Sequence, residues 1–327
     1  MDYLYVLSGF VLMSVCAEVM VRGAVALAER VGVSPLLIGL TVVAMGTSLP
    51  ELVVSVNAAM TGAPAIAVGN VVGSNIANIL LILGLTGMIW PIPCPNPKLF
   101  FQDAGILILV SVLFTAFGVG GAIAPWQGVA MLLLLAGYLT FAYRRELADK
   151  SAPLLEELEE FEQLKGKPWS LALGATGLGL LGVLLGADLL VEGAVGIART
   201  FGISEEVIGL TLVAFGTSLP ELATSLVAAW RRHNDLALGN IVGSCLFNIL
   251  GIMGLASLIA PVPVSEQFIN FDFWVMIGSA VLLIPFVATG GGMSRREAAL
   301  MAALYAAYVA AQFYGIERLI ALGNFPN

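Results

Sequence analysis

Two stretches of this chain, 170 residues apart, are nearly the same sequence. Gly39–Met60 reads GLTVVAMGTSLPELVVSVNAAM and Gly209–Trp230 reads GLTLVAFGTSLPELATSLVAAW, identical at fifteen of 22 positions. Val68–Leu85 (VGNVVGSNIANILLILGL) and Leu238–Leu255 (LGNIVGSCLFNILGIMGL) share eleven of 18. Pro91-Ile92-Pro93 has its echo in Pro261-Val262-Pro263. Chance likeness between apolar helices would give matches in Leu, Val and Ala, not a shared polar GTSLPE. The chain is two copies of one unit, and the second copy must fold as the first does.

That unit belongs in a membrane. Hydrophobic residues make up 59% of the 327 and charged residues 11%, against about 25% charged in soluble domains. This excludes a soluble enzyme, a nucleic-acid binder and a secreted disulfide scaffold. Cys16, Cys94 and Cys245 form no C-x-x-C pair, and the single histidine, His233, is too little for a zinc centre. The apolar runs are long, so the spans are helical rather than those of a β-barrel. The expected fold class is all-α, a polytopic membrane protein with ten transmembrane helices near 3–28, 34–60, 65–90, 101–118, 124–143, 169–198, 204–230, 236–260, 272–289 and 297–320. MDYLYVLSGF is expected to begin the first span and not a cleaved leader, since an acid stands where a signal peptide carries basic residues.

The polar, acidic segment 144–168 divides two five-helix repeats, 1–143 and 169–327. Because each repeat has an odd number of spans, the second crosses the membrane in the opposite sense, a plan typical of secondary transporters. Of the fourteen Lys and Arg residues, eleven fall in loops on one side and two (Arg199, Arg318) on the other, with Arg22 inside the first span. Basic loops stay cytoplasmic, so the hinge 144–168 is expected inside and both termini outside.

Glu51 and Glu221 fall in the middle of apolar spans, where a carboxylate costs at least ~2.5 kcal/mol. Arg22 is the only basic residue deep in a span and cannot neutralise both. On a helix Thr47, Ser48 and Glu51 share a face, as do Thr217, Ser218 and Glu221. Pro50 and Pro220 remove the N–H that would serve the Gly46 and Gly216 carbonyls. Backbone bared at this depth is tolerated only where it is buried in protein or lines a cavity. A cluster of oxygens with one carboxylate per half suits a hard cation such as Ca²⁺ or Na⁺, not Zn²⁺ or Cu⁺. Ser74 and Asn78, four residues apart like Ser244 and Asn248, either join this cluster or serve as interhelical glue.

Other polar residues carry less. Glu18 and Arg22, at the four-residue spacing, are expected to pair, structurally or as part of a gate. Asp103 and Asp272, near span starts, are expected to face water, as is His233 beside Arg231 and Arg232. Cys245, opposite Asn75 in the repeat, reads as a small packing residue.

At these residues the sequence resembles the calcium/cation antiporter superfamily. GTSLPEL twice, followed by GNVVGSNIANIL and GNIVGSCLFNIL, is similar to that family's two α-repeats, and the whole plan resembles a prokaryotic sodium/calcium exchanger. The resemblance implies Ca²⁺ held by Glu51 and Glu221 with Thr47 and Thr217. It implies flanking Na⁺ sites at Ser48, Ser74, Ser218, Ser244 and the Ala44 and Ala214 carbonyls, with Asn78 and Asn248 closing the centre. It implies an integral protein of a prokaryotic cell (inner) membrane. Its expected partners are Ca²⁺, Na⁺ and the lipid bilayer, with no cofactor, no nucleic acid and no obligatory protein partner. Some family members carry Asp at one of the two central positions, whereas this chain has Asn at both. That argues against a potassium-dependent or proton-coupled variant.

Two carboxylates are balanced by one Ca²⁺ or two Na⁺, so the ions compete for one neutralised site. An empty site leaves two buried charges and should switch reluctantly, which favours exchange over leak. The expected function is a secondary antiporter exchanging Na⁺ for Ca²⁺ by alternating access. The alternative is a calcium/proton antiporter of the same fold. A channel has no use for inverted halves, and no nucleophile with a base is present for an enzyme.

Overall fold

The computed structural model describes residues 1–94, 96–148, 169–200, 214–290 and 292–314. Twelve helical segments can be followed. They are α1 (Asp2–Val31), α2 (Pro35–Thr47), α3 (Leu49–Met60), α4 (Ala65–Ile89), α5 (Pro97–Gly118), α6 (Pro125–Ala148), α7 (Trp169–Thr200), α8 (Ala214–Thr217), α9 (Leu219–Trp230), α10 (Asn234–Ile259), α11 (Phe273–Gly290, entered by a π turn Phe268–Asp272) and α12 (Arg295–Tyr314).

The chain is an all-helical polytopic membrane protein. Among the described residues seven helices are long and apolar enough to cross a bilayer, eight if the bent pair α2–α3 is counted as one broken span. Parts of the expected spans 204–230 and 297–320, and most of the hinge, lie outside the described residues. α12 runs 20 residues but carries Glu297, Gln312 and three tyrosines, so it is less apolar than the others.

Local signals start and stop these helices as their chemistry requires. Ser34 caps α2, accepting from Leu37 N–H at 3.3 Å, with Pro35 at the first helical position. Asn96 caps α5 in the same way, accepting from Leu99 N–H at 3.3 Å. α1 ends at Gly32, left-handed at φ 74, whose N–H bonds the Ala28 carbonyl, the usual glycine termination.

The packing repeats under the 170-residue shift. α1 lies along its own counterpart α7, and α5 against its counterpart α11. The end of α4 packs on α12, as the end of α10 packs on α6. Two short antiparallel ribbons obey the same rule: β1 (Ile92–Pro93) pairs with β4 (Gly292–Met293), and β2 (Ala122–Ile123) with β3 (Val262–Pro263). Each ribbon joins loops that must lie on one side.

α4 and α10 form the buried centre, while α1 and α7 lie at the periphery. The α1–α7 contact is a glycine seam. A Cβ on Gly9 would sit 2.6 Å from Leu190 N, and one on Gly179 would sit 2.5 Å from Met20 N. The same pairing recurs at Gly23 with Thr176 and at Gly193 with Val6. Only glycine allows backbones this close.

Candidate functional site

The α2–α3 span breaks at Ser48 (φ −84, ψ 13), and the two pieces bend by 48°. Ser218 breaks the second copy in the same conformation (φ −91, ψ 3). Pro50 and Pro220 sit at the second position of the restarted helices, where the missing N–H is no loss. The result is a helix C-terminus facing a helix N-terminus inside the protein. Glu51 and Glu221 lie in the first turns of α3 and α9, where the positive end of the helix favours a carboxylate. Thr47 and Ala44 lie at the C-terminal end of α2, whose carbonyls favour a cation.

Both carboxylates are buried, with 1% and 0% of their surface exposed, and each is reached from the opposite half. Ser48 Oγ donates to Glu221 Oε1 at 2.8 Å, and Ser218 Oγ to Glu51 Oε1 at 3.4 Å. Thr47 neighbours Glu221, and Thr217 neighbours Glu51. Thr47 Oγ1 donates to Asn240 Oδ1 at 3.2 Å and approaches the Ala44 carbonyl at 3.3 Å. Ser244 Oγ reaches that carbonyl at 3.4 Å. Ser74, Asn78 and Asn248 are buried alongside. Ala214 opens α8.

What distinguishes this cluster is what it lacks. Glu51 Oε2, Glu221 Oε2, both amide atoms of Asn78 and Asn248 Oδ1 are buried without a hydrogen-bond partner among the described residues. Buried polar atoms are ordinarily satisfied, and an unpaired buried carboxylate oxygen is costly. Except for the Asn78 nitrogen, all are oxygens, the donor set of a hard cation. Asn78 and Asn248 also sit where α4 and α10 turn π-helical, at Ala77–Ile82 and Asn248–Met253, and such turns recur at functional sites.

Five residues of the surrounding shell were not singled out from the sequence. Asn70 Nδ2 donates to the Glu51 carbonyl and to Ser55 Oγ, both at 2.9 Å. Asn240 Nδ2 donates to Ser225 Oγ at 3.2 Å. Asn75 bonds across the centre. Asn70/Asn240 and Ser55/Ser225 are identical across the repeat, which was the available signal. Asn75 has Cys245 as its counterpart and left no such trace.

Three expectations for the outlying polar residues are corrected. Asp103 is buried, not wet: Arg145 clamps it at 2.9 and 3.0 Å, and Tyr138 Oη donates at 3.3 Å. Asp272 is buried too, accepting from Tyr308 Oη at 2.9 Å and Gln312 Nε2 at 2.5 Å. His233 is buried beside Arg231 and Glu18. Glu18 and Arg22 do pair, at 2.5 Å, and Arg231 Nε also donates to Glu18 at 2.9 Å.

Two broken helices meeting at the buried centre, each bringing a carboxylate and hydroxyls to one oxygen cluster, define a secondary transporter of cations. The comparisons agree. The sodium/calcium exchanger protein family matches residues 1–144 and 171–314, and the chain belongs to that family. It is 40% identical to the putative antiporter CaxA of Alkalimonas amylolytica over 285 residues, covering 86% of this chain and 88% of that one. It is 32% identical to the sodium/calcium exchanger MaX1 of Methanosarcina acetivorans, covering 96% and 99%. The solved structure of the sodium-calcium exchanger NCX_Mj, soaked without Na⁺ and Ca²⁺, superposes with a TM-score of 0.82 at 35% identity, covering 95% of this chain and 98% of that one. The protein is a membrane-embedded cation antiporter.

Proposed function

We propose that this antiporter exchanges Na⁺ for Ca²⁺ and that the oxygen cluster between α2–α3, α4, α8–α9 and α10 is its ion site. In this reading Glu51, Glu221, Thr47 and Thr217 hold Ca²⁺. Ser48, Ser74, Ser218, Ser244 and the Ala44 and Ala214 carbonyls hold Na⁺, and Asn78 and Asn248 complete the centre. The observation that carries it is the pair of buried carboxylates, each anchored through one oxygen to a serine of the other half and each with its second oxygen unmatched. One Ca²⁺ or two Na⁺ neutralise that pair, so the ions displace one another. Neutral hydroxyl and carbonyl oxygens surround the carboxylates. A proton would not need them, which favours Na⁺ over H⁺ as the coupling ion.

The same reading divides the chain into 1–143, a cytoplasmic hinge 144–168 and 169–327. It leaves both termini outside, in a prokaryotic cell membrane. α1 and α7 slide along their glycine seam to open the site to either side. The test is ⁴⁵Ca²⁺ uptake by proteoliposomes of the purified protein, loaded with Na⁺ and diluted into choline. Uptake that follows the Na⁺ gradient and needs no K⁺ is expected. Uptake driven equally well by a proton gradient with Na⁺ absent would replace this reading with calcium/proton antiport.

A further inference from the structure

α4 and α10 meet at a central position where the repeat exchanges an amide for a thiol. Residue 75 of the first half is Asn, and its counterpart is Cys245. Asn75 is buried, and the polarity of its bonds is fixed. Its Nδ2 donates to the Cys245 carbonyl at 3.2 Å. A backbone carbonyl can only accept, so this amide cannot be turned around. Its Oδ1 therefore faces the other way, where it accepts from Asn248 Nδ2 at 3.1 Å. That bond in turn settles Asn248. With its nitrogen committed to Asn75, Oδ1 is the atom left over, buried and without a hydrogen-bond partner among the described residues.

Asn78, the repeat counterpart of Asn248, has no such neighbour. The residue beside it is the Cys245 thiol, whose proton is directed at the Asn75 backbone carbonyl at 3.8 Å, so toward Asn78 the sulfur offers only a weak acceptor. Both amide atoms of Asn78 lack a hydrogen-bond partner among the described residues.

We propose that Asn75 is a positioning residue: a relay from the Cys245 carbonyl through the Asn75 amide to the Asn248 amide holds the Asn248 oxygen, not its nitrogen, toward the cation. The two central asparagines are then unequal. Asn248 presents an oxygen fixed by an amide hydrogen bond, while Asn78 is oriented only by the weak acceptor sulfur of Cys245 and is the more easily turned of the two. This rests on the oxygen cluster being the ion site. It adds an asymmetry that two identical motif copies would not have by themselves.

The experiment uses the full chain, purified, with equilibrium ⁴⁵Ca²⁺ binding at fixed low Na⁺ alongside Na⁺-driven flux. Asn75→Cys gives the first half the second half's residue. It should raise the apparent Kd and KM for Ca²⁺ about fivefold, roughly what one hydrogen bond is worth, and leave maximal flux near wild type. The same substitution in an Asn248→Ala background should add nothing, because the group being positioned is gone. Adding Cys245→Asn to Asn75→Cys moves the relay to Asn78 and should recover affinity. If Asn75→Cys does not yield monodisperse protein, Asn75→Ser serves instead. A penalty that persists undiminished in the Asn248→Ala background, or a Kd unchanged by Asn75→Cys while Asn248→Ala weakens binding, would overturn the relay and leave the site intact. Wild-type binding and flux in Asn248→Ala would overturn the relay together with that residue's place in the site.

Discussion

Glu51 and Glu221 bring two buried carboxyl groups to one place inside the protein. Each has one oxygen on a serine of the other half and one oxygen open. In the proposed site, Glu51→Gln and Glu221→Gln each remove half of the charge that balances Ca²⁺. The loss should be about 3 kcal/mol or more, over a hundredfold in affinity, so Na⁺-driven ⁴⁵Ca²⁺ flux should fall to the empty-vesicle level while the protein stays monodisperse. Wild-type exchange by either variant would mean that the site lies elsewhere. Asn248→Asp has the opposite effect on charge. A third acid beside two others is disfavoured unless it takes a proton or another cation, so its flux should become pH-dependent, or dependent on an added monovalent ion, where wild type is flat. At His233, outside the spans, burial holds the imidazole down to about 4, with Glu18 opposing and Arg231 assisting. The unfolded imidazole takes its proton near 6.5. Between these values the unfolded chain binds more protons, so stability falls as pH drops through that window. By pH 5 the loss is about 2 kcal/mol. The thermal midpoint in detergent should therefore drop more for wild type than for His233→Gln between pH 8 and pH 5. Equal drops would remove His233 as the cause.

At the scale of elements, the broken spans were legible because their chemistry is local: a proline, two hydroxyls and a carboxylate lie within five residues. The sequence does not show that Gly179 lies on Met20 and Gly9 on Leu190. Partners drawn from distant elements are what the sequence could not supply. Asp103 reads as a wet acid at a helix start until Arg145 arrives from α6, and Asp272 until Tyr308 arrives from α12. Asn75 reads as ordinary until α10 crosses it. The glycine seam makes its own prediction. Gly179→Val places carbon against the α1 backbone, an overpacking of about 1–3 kcal/mol. If α1 must slide on α7 during exchange, maximal flux should fall about tenfold while Ca²⁺ still raises the thermal midpoint of the purified protein. Unchanged flux would show that the seam stays closed through the cycle.

At the scale of the whole molecule, orientation rests on the basic loops, and the ribbons limit which loops share a side. Single cysteines, introduced after Cys16, Cys94 and Cys245 are replaced, test it. Thr61→Cys and Glu266→Cys should react with an impermeant thiol reagent added to intact cells, and Ser151→Cys should not. A labelled hinge would invert the assignment of faces. The ribbons also set a timetable. Ile92 pairs with Met293, about 200 residues further along the chain. At ribosomal speeds of about 5–20 residues per second, that partner is made on the order of 10–40 s after Ile92. Through that interval the first half waits in the bilayer with a strand edge unpaired, and for the earlier part of it Glu51 is also without Ser218. An arrested or truncated nascent chain would be left in that unfinished state, and quality-control proteases would have those tens of seconds in which to find it.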